Sequence, residues 1–83
     1  MTKIELMVLI MLRTKGASSP ATAMSLAELN ATEGLIDYKV NSIYKCIRRL
    51  CISSYVAHGL KDGRADTYYV TNYGISKIGE YEV

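Results

Sequence analysis

Four stretches of this chain read as helices, and two carry the pattern of strands. Between Tyr38 and Cys51, the apolar residues Val40, Ile43, Ile47 and Leu50 recur at steps of three, four and three. That spacing places them on one face of an α-helix. Lys39, Asn41, Ser42, Lys45, Arg48 and Arg49 fall on the other side, which predicts a helix over about 38–51 with Asp37 as its N-cap. Residues 3–14 predict an earlier helix that is apolar almost all round and ends near Gly16. A helix of that kind must be covered on more than one side. It is either the central helix of the core or part of a subunit interface through Leu6, Met7 and Ile10.

Between these helices, Ser25-Leu26-Ala27-Glu28 has the form of a capping box, so a short second helix starts there, with Leu26 and Leu29 inward. Ser19 before Pro20 is another possible helix start, within a loop of small residues. Glu33 to Asp37 makes the turn into the third helix. Downstream, Tyr55–Leu60 and Asp66–Thr71 are aromatic and β-branched runs flanking Asp62-Gly63. They predict a β-hairpin over about 55–71. Within it Tyr68 and Tyr69 point to opposite faces. Thr71 or Asn72 then caps a short last helix, with Ile75 and Ile78 inward and weakened by Gly74 and Gly79.

The 83 residues make one small domain, 1–83, of α+β class and mainly α. A core of this size is marginal alone, and a partner subunit would help it. Cys46 and Cys51 are too far apart on one helix to form a disulfide, which points to a reduced, cytoplasmic setting. The apolar run Ile4–Leu12 is far too short to span a bilayer. With the small residues near Ala21 it faintly resembles a signal peptide, but Glu5, Arg13 and Lys15 are wrong for secretion.

Charge is unevenly placed. From Tyr38 to Lys61 there are five basic residues and no acidic one, whereas the rest holds five basic and eight acidic. A polyanion is the natural partner for such a concentration of cations. A helix, a turn and a second helix with a basic outer face form the helix-turn-helix arrangement.

The order helix, helix, helix, hairpin, helix is that of a winged helix-turn-helix. Ser42-Ile43-Tyr44, Arg48-Arg49-Leu50, Tyr55-Val56, Gly63-Arg64 and Tyr68-Tyr69-Val70-Thr71 with Gly74 resemble the core of PadR-like and MarR-like bacterial regulators over about residues 25–80. The resemblance implies a third helix in the major groove of double-stranded DNA and a wing on the adjacent backbone or minor groove. The chain departs from it in Ile52-Ser53-Ser54 after the third helix, and in Asp66 where a wing cation is common. It also lacks room for a long C-terminal dimerisation helix, so a homodimer would fall to the first or last helix. Small viral and plasmid regulators, replication accessory proteins and plasmid centromere-binding proteins are similar in size and pattern.

On the DNA reading, Asn41, Ser42 and Lys45 are expected to contact bases. Lys39, Arg48, Arg49, Lys61 and Arg64 are expected to contact the backbone. No cofactor is implied, and no Cys, His and carboxylate set has metal-ligand spacing. His58, the lone histidine, has no acid and nucleophile pattern around it, so an enzyme is the weakest reading. Lys45 and Arg49 would favour a Cys46 thiolate, which opens a redox-sensing reading. The main competitor is a winged helix that binds protein and not DNA, because fold does not fix function.

Overall fold

The computed structural model describes residues 1–82. Its helices are α1 (Lys3–Thr14), α2 (Leu26–Asn30), α3 (Val40–Ile52) and α4 (Asn72–Gly79), and its strands β1 (Met24–Ser25), β2 (Val56–His58) and β3 (Thr67–Val70). Among the described residues no helix is long and apolar enough to cross a membrane.

α1 is the central element. The Glu5 amide donates to the Thr2 hydroxyl at 3.2 Å, and the Thr2 amide donates to the Glu5 carboxylate at 2.8 Å. This reciprocal cap satisfies amides that the first turn leaves unpaired. The helix ends at Gly16, whose φ of 76° is open to glycine at no steric penalty. Val8, Leu9, Met11 and Leu12 are buried, with α3, α4, α2 and β3 packed around them. That surround explains the all-round apolar sequence. Leu6, Met7 and Ile10 are themselves half-buried against the same core.

α2 has the expected cap: the Glu28 amide donates to the Ser25 hydroxyl, and the Ser25 amide to the Glu28 carboxylate. Ser25 also belongs to β1, a strand that the pattern reading missed, and the Ser19-Pro20 signal corresponds to a single 3-10 turn at Pro20–Thr22. The segment between α2 and α3 is stitched by Asn30, whose amide nitrogen donates to the Leu35 and Tyr38 carbonyls, both at 3.1 Å. Leu35 is fully buried beneath this turn.

α3 begins later than expected. Its N-cap position is Lys39, which makes no side-chain cap, so Asp37 does not cap it. The Asn30 bonds hold Leu35 to Tyr38 in a turn of their own, and this delays the helix start. Ile43, Cys46, Ile47 and Leu50 are its buried residues. Full burial of each large aliphatic side chain stabilises the fold by about 1.5–3 kcal/mol. Val40, expected inward, is 44 % exposed, and Tyr44 is 41 % exposed. Both sit about 70–110° around the helix from the centre of the buried stripe, at 100° per residue.

The sheet order is β1-β3-β2, all antiparallel. In the β2–β3 hairpin, Val56 faces Val70, Ala57 faces Tyr69 and His58 faces Tyr68. Beyond it, Asp62 bridges Ala65 around Gly63, whose φ is 63°. Tyr68 is buried and Tyr69 half-buried, as the strand alternation requires. Thr71 caps α4 by accepting from the Gly74 amide at 3.0 Å while donating to the Ser54 carbonyl at 2.7 Å. Ile78 is fully buried and Ile75 half-buried. Three helices, a hairpin and a closing helix make this a winged helix-turn-helix, with one extra strand on the hairpin's inner edge.

Candidate nucleic-acid interface

The outward side of α3 is ordered by its packing. With the buried residues on one side, Asn41, Lys45 and Arg48 form a stripe nearly opposite, and all three are exposed. Ser42 and Arg49 lie on the flank towards α1, and Tyr44 lies on the flank towards the hairpin. α3 contains no acidic residue. Lys39 is exposed at its N-terminal end. Among the described residues, Lys39, Lys45, Arg48 and Arg64 have no carboxylate within ion-pair distance.

Arg49 differs from them. Its Nε donates to the Glu5 carboxylate at 3.2 Å, and its Nη2 meets the Cys46 sulfur at 3.2 Å. The guanidinium therefore ties α3 to the start of α1. Burial of Glu5 opposes its ionisation, but the Thr2 hydrogen bonds and Arg49 outweigh it and hold the carboxyl below the usual carboxylate range.

The same neighbourhood corrects the redox expectation. Burial pushes the Cys46 thiol up, and Arg49 does not offset it. Lys45, exposed and about 100° around the helix from Cys46, is not among the groups that act on the thiol. Burial also pushes up Cys51, which is half-buried. Neither sulfur has the depressed pKa that reactive thiols need.

The hairpin carries Lys61 and Arg64, both exposed. Its charge is balanced, however, because residues 61–66 hold two cations and the two acids Asp62 and Asp66. Lys61 Nζ lies 3.6 Å from Asp66 Oδ1. The excess of positive charge thus belongs to α3 and stops at the wing.

Between the outer flank of α3 and the hairpin runs an open cleft of about 390 Å³, lined by Tyr44, Arg48, Ile52, His58, Asp66 and Tyr68 among others. The Arg48 guanidinium lies 5.9 Å from the Tyr44 ring centre, within cation–π range. His58 packs on the Tyr68 ring at 5.1 Å. Burial, followed by the nearby Asp66 carboxylate, pushes the Tyr68 phenol up. Among the described residues, no three His, Cys, Asp or Glu side chains cluster to hold a metal ion.

This fold and this face define a winged-helix chain with a cationic third helix. No protein-family model matches the sequence, and no curated protein matches it. Among solved structures, it is similar to TubR from Bacillus megaterium pBM400, at 16% identity over 98% of this chain and 86% of that one, with a TM-score of 0.81. It is also similar to the DNA-binding TubR fragment from Clostridium botulinum, at 23% identity over 98% and 96% of the two chains, with a TM-score of 0.74. A third is Bordetella bronchiseptica BpsR, whose DNA binding is regulated by 6-hydroxynicotinic acid, at 21% identity and a TM-score of 0.78. The match covers 96% of this chain but 52% of BpsR, so the present chain spans about half of that protein's length. At these identities the likeness is one of fold.

Proposed function

We propose that the chain binds double-stranded DNA in a sequence-specific way and serves in transcriptional regulation, with α3 in the major groove and the hairpin on the backbone or minor groove. One observation carries this reading: Asn41, Lys45 and Arg48 form an exposed stripe on a helix without acids, opposite the face that packs the core. Asn41 suits adenine, Lys45 the acceptors of guanine, and Ser42 either base. Lys39 and Arg48 suit phosphates, with Arg64 reaching from the wing and Lys61 beside it as far as its pairing with Asp66 allows. Arg49, held at the flank by Glu5, makes at most a marginal phosphate contact. The reading includes a homodimer joined along the exposed edge of Leu6, Met7 and Ile10, which light scattering of the concentrated protein tests.

The test of DNA binding is fluorescence anisotropy of a labelled random duplex at stepped salt. Three or four phosphate contacts per chain lower log affinity by about three per tenfold rise in salt. Absence of binding even at low salt would refute the reading. It would favour a protein-binding winged helix, for which Ile52 at 84 % and Leu60 at 65 % exposure supply apolar contacts.

A further inference from the structure

The wing has two cations, and the fold neutralises one of them. The Asp62–Ala65 bridge makes the next residues outward, Lys61 and Asp66, cross-strand neighbours. Opposite charges in that relation attract, and here Nζ and Oδ1 lie 3.6 Å apart. Asp66 also lines the cleft that Arg48 lines, on the side a duplex lying along α3 must approach.

The acid at position 66 has no evident structural duty. Glu5 and Glu28 complete helix caps, and Glu82 holds Arg13 through two hydrogen bonds. Asp66 accepts no hydrogen bond among the described residues, and its side chain is half exposed. An open pair of this kind adds little to stability. It does, however, set where the Lys61 ammonium points and how much positive charge the wing presents.

We propose that Asp66 restrains DNA affinity: its carboxylate holds Lys61 away from phosphate and keeps the wing neutral, so that binding depends on the side chains of α3. The restraint weakens contact with any sequence, while the base-reading stripe of α3 is left untouched. It thereby lowers specific and non-specific affinity alike and leaves their ratio to the base contacts of α3. The inference rests on the DNA-binding reading above.

The experiment is anisotropy with a labelled random-sequence duplex at stepped salt, using the wild type, D66N, K61M and the double variant. Because the pair is exposed, circular dichroism melting should be unchanged in all four. D66N is expected to bind roughly threefold tighter or more at low salt. Its salt slope should steepen by about 0.9, for one additional phosphate contact. In the K61M background the D66N gain should shrink to what removal of one negative charge alone gives. D66N binding no tighter than wild type would overturn the inference, as would an equal gain with and without Lys61. Wild-type binding with an unaltered D66N brings down this inference alone. If none of the four binds, the DNA reading falls, and the restraint falls with it.

Discussion

Gly74 to alanine sets two effects of opposite sign against each other within one helix. Helix propensity favours alanine over glycine by up to about 1 kcal/mol. The position does not allow that gain. A Cβ at Gly74 would stand 2.8 Å from Val70 Cγ2 and well inside contact distance of the Tyr55 carbonyl oxygen. Carbon atoms settle at about 3.5–4.0 Å, so the valine contact alone is short by roughly 0.7 Å. The carbonyl cannot swing aside, because it accepts the Thr71 amide at 3.0 Å. α4 must therefore lift off the hairpin base, loosening the fully buried Ile78. Overpacking of this kind costs about 1–3 kcal/mol, and two simultaneous clashes, one of them on backbone, place it in the upper half of that range, leaving a net loss of about 1–2 kcal/mol after the propensity gain. At about 4–8 °C per kcal/mol for a domain of this size, the melting temperature falls by roughly 5–15 °C. Gly79→Ala is the control: nothing lies within 4 Å of its built Cβ, so it should hold or raise the melting temperature. Thermal circular dichroism of the two variants decides the matter. A Gly74→Ala protein that melts as high as wild type would refute the close-contact argument.

Three further outcomes are expected. Arg48→Ala should reduce the salt slope of duplex binding by about one, and Arg49→Ala by less, because Arg49 is engaged by Glu5; equal reductions would contradict that division. Glu5→Gln keeps an amide able to complete the cap but loses the charge, and should destabilise by about 0.5 kcal/mol at pH 7. The folded carboxyl titrates below its ordinary value of 4.5, so its contribution is full above that pH and is lost as pH falls through the folded value. The urea stabilities of the two proteins should therefore converge as pH falls through the folded carboxyl's value, and a gap that stays constant from neutral pH into acid would sink the assignment. Thiol labelling of the native protein should be slow at Cys46 and rise by orders of magnitude in denaturant, whereas rapid native labelling would contradict its burial.

Periodicity and caps made most of the fold readable. α1 ends where the glycine stop placed it, and the Ser25 capping box and the Thr71 cap mark the true starts of α2 and α4. Local signals failed where distant residues decide. β1 is two residues long and exists because β3 offers it an edge, which no local pattern announces. Asp37 looked like a cap because the Asn30 bonds that close the turn join residues five and eight apart. The outward stripe of α3 could be read from its spacing, yet the pairing of Arg49 with Glu5 spans 44 positions. The Cys46 expectation failed for a related reason: neighbouring cations in sequence were counted, but burial was not.

The hairpin is a beam fixed at one end. β3 runs between β1 and β2, and Gly59 packs its backbone against Ala23 and Pro20, while the Gly59 amide donates to the Thr67 carbonyl at 2.9 Å. Leu60 is still held, its amide donating to the Pro20 carbonyl at 3.0 Å, and past it residues 61–66 project with the Asp62–Ala65 bridge as their main backbone tie. A sideways load on the tip therefore bends the overhang before it can tilt the root. On the DNA-binding reading proposed above, grooves of different width would be met by flexing at the end, while the bearing of α3 stays set by the root.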